Sequence, residues 1–372
     1  MSFDNPNDLK VINQEMACTN CGAVLRFAPG TNHLKCEYCG HENEIAVAAN
    51  AEPVEEQDYL TFAREGEASA EKIQVSLVKC TGCGAETTLK PNITSDLCPF
   101  CGTSLVLESG TIHEVIKPKS VLPFKVTIKE AFGHFEGWIK SLWFAPNDLK
   151  RYARDQEKLA GMYIPYWTFD TDTITEYTGE CGIHRQVTEY YTVTENGQTV
   201  ERTRTRTVTD WYPAYGTVSN DFDDILVTAS ETLPRKYVEA LEPWDLEELK
   251  PFDEKYLSGF RAEAYTVNLT SAFGIAKERA EDIIDTAIRR DIGGNEQRIH
   301  SRDTQWNNIT FKHTLLPIWI SAYRYRGKVY RFLINGRTGE VQGERPYSAW
   351  KIFFAIAGGL ALIGAIYLVF RG

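Results

Sequence analysis

The sequence has no GxxxxGK[ST] phosphate loop, no GxGxxG, no HExxH and no GxSxG anywhere in its 372 residues. P-loop nucleotide hydrolysis, dinucleotide binding, metalloprotease chemistry and nucleophile-elbow hydrolysis therefore have no motif to rest on. Histidine is sparse, seven in all, and scattered. Cys181 and His184 form a lone pair in a predicted strand, which reads as a buried thiol with a nearby ring rather than a catalytic dyad. Asp221, Asp223 and Asp224 fall in a predicted loop and read as a solvated turn in preference to a weak cation site. No residues support an enzyme. The opening stretch MSFDNPNDLKVINQE lacks an apolar core, so no secretory signal is expected. Positive charge is also short, 40 Lys and Arg against 51 Asp and Glu, for a net charge of −11.

What is present is ordinary globular composition, 43% hydrophobic and 24% charged, with room for two or three domains. One long apolar run stands at residues 350–370. Its 19 residues from Ile352 to Phe370 carry no charge and lie between Lys351 and Arg371. As a helix that run is about 28 Å long, close to the ~30 Å hydrocarbon core of a bilayer. A core helix of that length would carry a polar face, so a single transmembrane helix is expected. Lys328, Arg345 and Lys351 precede it and only Arg371 follows, which places the body in the cytoplasm. Ala357, Ala361 and Ala365, with Gly358 and Gly364 beside them, make a face on which another helix could pack, in a homo- or hetero-oligomer.

Nine cysteines in a cytosolic compartment argue for metal ligation over disulfides. Eight fall into two matching sets. Cys18 and Cys21 are followed by Cys36 and Cys39; Cys80 and Cys83 are followed by Cys98 and Cys101. The two units form an internal repeat, and each supplies four thiolates for a tetrahedral S4 site. Gly22, Gly40, Gly84 and Gly102 follow the second cysteine of each pair and free the turn to aim N–H groups at sulfur. Two structural zinc ions are expected, with rubredoxin-like iron as the alternative that looks the same in sequence. Units this small need the metal for folding, which ligation supplies at about 10–16 kcal/mol apparent. Arg26 and Lys35 are outnumbered by Glu37, Glu42 and Glu44, and Lys79 and Lys90 are matched by Glu86 and Asp96. The ribbons are therefore better suited to protein binding or a structural role than to nucleic acid, which needs several uncompensated cations. The expected layout is ribbon 1 at 15–47, an acidic mobile linker at 48–76, ribbon 2 at 77–108 and an α+β domain at 109–345. Tyr59, Leu60 and Phe62 offer a short interaction motif within the linker.

In the body, Thr127 and Glu130 have capping-box spacing, and Phe132, Phe135, Trp138, Ile139 and Leu142 recur at helical intervals up to Pro146. Asn196-Gly197 marks a hairpin with Val193 opposite Val200, Tyr191 opposite Arg202 and Glu189 opposite Arg204. Arg202, Arg204 and Arg206 then share one face, a candidate for phospholipid headgroups or nucleic acid unless Glu189 and Tyr191 pair with it. Residues 231–262 read as short helices broken by proline. A helix at 271–294 directs Ile275, Ala280, Ile283, Ile284, Ala287 and Ile288 inward and stops at Gly293-Gly294. Strands from His313 onward turn at Arg326-Gly327 and Asn335-Gly336, and LLPIW within them echoes YIPYW at 163–167.

Together the two CxxCG…CxxCG units, VLPF, WFAP, YIPYW, LLPIW and YRGKVYRFLINGRTGEVQGERP before an apolar span resemble a bacterial family of membrane-anchored double-zinc-ribbon proteins. Members are often labelled TFIIB-type zinc ribbon or primosomal-protein-N′-like, a label that here can reflect only the cysteines. The resemblance implies a non-enzymatic adaptor that recruits soluble partners to the bacterial inner membrane, in phage-shock protein A-like and flotillin-type (SPFH) envelope-stress systems. Matched residue by residue, only the eight cysteines carry over. The alternative is a membrane-tethered nucleic-acid-binding protein using the ribbons or the Arg202–Arg206 face.

Overall fold

The computed structural model describes residues 11–12, 16–45, 56–66, 71–88, 95–106, 111–146, 159–195, 198–325 and 328–371. The fold is α+β and rich in sheet. Its long elements, in chain order, are α1 (Tyr59–Glu65), α2 (Ile128–Ser141), β1 (Ala160–Glu195), β2 (Gln198–Thr228), α3 (Leu269–Ile292), β3 (Glu296–Tyr325), β4 (Lys328–Asn335) and α4 (Ala349–Arg371).

The central sheet is built around β1, which pairs antiparallel with β2 on one side and β3 on the other. Along β1 the burial changes in three stages, and the residue types follow it. Met162 to Phe169 are buried without a break, as in a strand covered on both faces. Thr171, Thr173, Thr175 and Tyr177 are then buried in alternation with exposed Ile174 and Glu176, the period of a strand with one wet face. The β1–β3 ladder ends at Gly182 opposite Glu296. From Ile183 onward β1 is accompanied, among the described residues, by β2 alone, giving a two-stranded arm of about 40 Å at ~3.3 Å per residue.

The two echoed motifs meet at the centre. Tyr163 faces Pro317, Pro165 faces Leu315 and Trp167 faces His313. Trp167 donates its indole N–H to the Val267 carbonyl and Trp319 to that of Val126, each at 2.9 Å, so both buried rings are satisfied.

α2 starts with the expected reciprocal Thr127–Glu130 box and buries Ala131, Phe132, Phe135 and Ile139. α3 is capped by Asn268 and ends at Gly293, whose φ of +68° suits glycine. Its inward stripe is Leu269, Ala272, Phe273, Ala276, Ala280, Ile284, Ile288 and Ile292. Ile283, expected inside, is 54% exposed, because it lies one residue off that i, i+4 row.

The expected domain layout needs revision. Within the supposed linker, Gln57–Asp58 pairs with Phe311 and Thr310, and α1 follows directly. Tyr59 is buried with its ring 4.6 Å from that of Phe273, and Phe62 packs edge-on to Phe311 at 5.2 Å. These aromatics form core, so Tyr59 and Phe62 are not free for a partner. Residues 46–55 and 67–70 of the same stretch lie outside the described residues. The strand leading into the second cysteine unit begins at Lys72 and pairs with Thr111–Ile116. Nor do the cysteine units stand apart from the body. Leu25, Phe27 and Cys36 share one core cluster with Phe124, Tyr163 and Trp319, and Cys80, Cys98 and Phe100 share another with Leu122, Met162 and Ile164.

Candidate metal centres

Each cysteine unit is two copies of one turn. Gly22 donates its N–H to the Cys18 carbonyl at 2.8 Å, Gly40 to Cys36 at 2.9 Å, Gly84 to Cys80 at 2.8 Å and Gly102 to Cys98 at 2.8 Å. All four glycines have φ between +72° and +78°, which a side chain would strain. The cysteine that opens each turn donates a further closing bond, as in Cys80 N–H to the Ala85 carbonyl at 2.8 Å. These turns bring four sulfurs together twice. Cys18 and Cys39 are 3.7 Å apart, Cys21 and Cys36 3.5 Å, Cys80 and Cys101 3.5 Å, and Cys83 and Cys98 3.7 Å. Within each group all four ligand atoms lie within 4.8 Å of one another. Metal–sulfur bonds of about 2.3 Å place tetrahedral sulfurs about 3.8 Å apart. All eight thiols are free, and the spacing suits a site that could hold a metal ion, whereas disulfide sulfurs would be bonded at about 2.05 Å.

The surroundings favour the thiolate at some of these sulfurs and oppose it at others. The His41 N–H, with help from the Asn20 side chain, holds the Cys39 thiol down at about 6. Burial raises Cys101, but the hydroxyl and N–H of Thr103 outweigh it and hold that thiol at about 7. Burial pushes Cys83 up to about 11 and Cys98 higher still. One cation at the centre of each group would let all four ionise.

Both units dock on one short strip of the body, a relationship with no local signal in the sequence. In the first unit Phe27 donates its N–H to the Ser258 carbonyl at 3.0 Å, and the Ser258 hydroxyl donates to the Leu25 carbonyl at 2.7 Å. The Phe27 ring meets Tyr256 edge-on at 5.3 Å. In the second unit Arg261 donates to the Leu97 carbonyl at 3.0 Å and the Ala262 N–H donates to the Thr88 hydroxyl at 3.0 Å. Residues 256–262 thus touch both.

The structure brings together other charged groups that the sequence set aside. Asp221, Asp223 and Asp224 lie in β2 and not in a loop; Asp221 pairs with Asp172, and Asp223 and Asp224 fall at the irregularity between the Thr171–Phe222 and Phe169–Ile225 pairs. Asp170, Asp223 and Asp224 offer carboxylates to one point, but a cation is already supplied by the protein. Lys312, 7% exposed, places Nζ 2.9 Å from Asp224, 3.1 Å from Glu56 and 3.7 Å from Asp170. Burial raises Asp170 to about 7, while the carboxylates keep Lys312 above the usual lysine range despite its own burial.

A cavity of about 40 Å3 lies between the strand Lys72–Lys79 and the residues Ala262–Tyr265, with Glu263 and His313 in its lining. That is the scale of a few water molecules, below the several hundred Å3 of a typical ligand pocket. Glu263 accepts from the Ser230 hydroxyl at 2.7 Å, and burial raises its carboxyl to about 7. Burial lowers His313 to about 4; its Nδ1 lies 3.1 Å from the Ile116 carbonyl and so carries the proton.

On the arm, the register places Val193 opposite Val200, Tyr191 opposite Arg202 and Glu189 opposite Arg204, as the hairpin motif predicts; Asn196 and Gly197 themselves lie outside the described residues. Glu189 binds Arg204 at 2.8 Å and Arg206 at 3.0 Å, and Arg204 also sits over the Tyr191 ring. His184 bonds to Glu296 at 2.7 Å, whereas Cys181 packs beside α3.

At the far end of the chain, α4 is long and apolar enough to cross a membrane, and its apolar stretch is not buried by any of the described residues. No protein-family model matches the chain, and no solved structure matches it. The chain is similar to a protein of Bacillus subtilis (strain 168) described as uncharacterized protein YdjG, at 29% identity over 350 residues, which cover 93% of this chain and 94% of that relative.

Proposed function

We propose that the protein is a membrane-anchored adaptor: a cytoplasmic body, two structural zinc ribbons of the rubredoxin-like kind, and a single C-terminal transmembrane helix that fixes where the body works. The observation that carries this reading is α4. A body whose other long helices bury their apolar stripes leaves 22 residues, Ala349–Phe370, with an apolar surface that nothing among the described residues buries. Exposing that much apolar surface to water is unfavourable by about 25 cal/mol per Å2, and a bilayer removes the cost. The excess of Lys328, Arg345 and Lys351 over Arg371 favours a cytoplasmic body. Zinc suits four thiolates in a closed S4 set with no position left for water, which is a structural role.

Recruitment of soluble partners, of the phage-shock protein A-like and flotillin-type classes that the sequence resemblance implies, is the part of this reading that concerns other proteins. Nucleic-acid binding is less well supported, because Arg204 and Arg206 are both engaged by Glu189, which offsets part of their charge. The test is deletion of residues 350–372 combined with affinity capture from detergent-solubilised membranes. Loss of membrane association with displacement of a captured partner supports the adaptor. A partner whose location ignores the deletion overturns it, and steeply salt-dependent binding to DNA or RNA would favour the nucleic-acid reading.

A further inference from the structure

The foot of α4 is bolted to the turn that follows α2. The Ser348 N–H donates to the Phe144 carbonyl at 2.8 Å. The Lys351 ammonium donates to the carbonyls of Trp143 at 3.0 Å and Ala145 at 2.8 Å. Leu142 and Ala145 are buried and hold the turn to the body, whereas the two residues between them point outward. Trp143 is 78% exposed and Phe144 40%. Beside them at the start of α4, Tyr347 is 59% exposed and Trp350 72%. Four large aromatic side chains from two distant parts of the chain therefore surround the point where the apolar helix begins.

Single exposed aromatics are common, but four around one helix foot form a patch that water disfavours. Aromatic rings with polar edges suit the boundary between headgroups and hydrocarbon, where tryptophan and tyrosine gather in membrane proteins. The lysine in their midst does not oppose this. Its ammonium is engaged by two backbone carbonyls at the level of the turn, with its methylene stem left for the apolar surroundings.

We propose that the turn Leu142–Ala145 is a second membrane contact, with Trp143 and Phe144 seated in the interfacial layer of the same bilayer that α4 crosses. The occupant of this patch is lipid, because the patch is continuous with the helix that enters lipid. The body is then held at two points and keeps one orientation on the membrane instead of swivelling about a single stalk. This inference rests on the reading of α4 as a transmembrane helix, and the experiment separates the two.

The full-length protein is placed in nanodiscs of ordinary or acyl-brominated phosphatidylcholine, and tryptophan emission is compared for the wild type, Trp143→Phe, Trp350→Phe and the double variant. Phenylalanine keeps the apolar ring at an exposed position, so folding is preserved. The expected result is that each single substitution removes about half of the bromine-quenchable emission and the double removes nearly all. If Trp350→Phe lowers quenching and Trp143→Phe leaves it unchanged, the turn stays in water and the second contact is refuted while the anchor stands. If the wild type shows no quenching at all, anchor and contact fall together.

Discussion

Lys312 and Asp224 form a 2.9 Å ion pair inside the central sheet, with Glu56 and Asp170 closing round the same ammonium. The lysine comes from β3, Asp224 from β2, Asp170 from β1, and Glu56 from the residues just before α1, so one cation ties four segments together. Removing it leaves half-buried Asp170 and Asp224, and the more exposed Glu56, without their shared cation. Lys312→Met is expected to cost about 1–3 kcal/mol in denaturant unfolding of the detergent-solubilised protein. The carboxylates keep Lys312 above its ordinary 10.5. Its contribution is therefore complete below that pH and is lost as pH rises through the folded value. A loss below 1 kcal/mol would show that the pairing is incidental.

Glu263 and His313 give the fold opposite responses to pH. Burial moves Glu263 from 4.5 to about 7, so the folded state binds the extra proton and stability falls as pH rises between those values. Burial moves His313 from 6.5 to about 4, so there the unfolded state binds more protons and stability rises with pH across that window. Between 4.5 and 6.5 the two slopes cancel in the native protein. Glu263→Gln unmasks one of them: it should gain on the wild type by roughly 3 kcal/mol in all from pH 4.5 to 8, at up to ~1.4 kcal/mol per unit. Parallel stability curves for the two proteins would rule this out.

Metal analysis of the purified chain is expected to find about two zinc ions, one per S4 group. Cys98→Ser should reduce that to about one and lower the melting temperature, and Cys181→Ser should leave it at two. Iron, or an unchanged count in Cys98→Ser, would contradict the assignment.

Gly336 sits where the turn after β4 presses on the central strands. A Cβ added there would lie 2.7 Å from the Pro317 carbonyl oxygen and 2.8 Å from the Phe124 ring. Gly336→Ala should destabilise by about 1–3 kcal/mol, the usual cost of overpacking a tight core. Thermal unfolding beside the wild type measures it.

How far the sequence reveals this molecule depends on how local the cause is. The eight cysteines are legible because two short spacings encode each cage. Thr127 and Glu130 reveal a helix start, and the Asn-Gly pair in the sequence predicts the register found along the arm, for the same reason. The first half of β3 is harder to see: its half-buried positions include Gln297, Arg302 and Thr304, and Arg302 is there to pair with Glu281 and Asp285 of α3. No alternation of apolar residues announces such a strand. Asp224 reads as solvated until Lys312 is placed beside it. Tyr59 and Phe62 look like a motif in an acidic connector, because the ring surfaces of Phe273 and Phe311 that cover them come from far along the chain.

The strip at residues 256–262 has a bearing on how the chain is made. Leu25 waits for Ser258, 233 positions later, and Leu97 waits for Arg261, 164 positions later. At about 5–20 residues per second, the first wait is roughly 10–50 s of synthesis. Both cysteine units therefore leave the ribosome long before their seat exists. A bound ion can close each unit from its own few residues during that delay, and docking follows when the strip emerges. The body is thus completed in reverse of the usual dependence: the earliest-made pieces are finished by the later ones, and α4 is translated only after both have their seat.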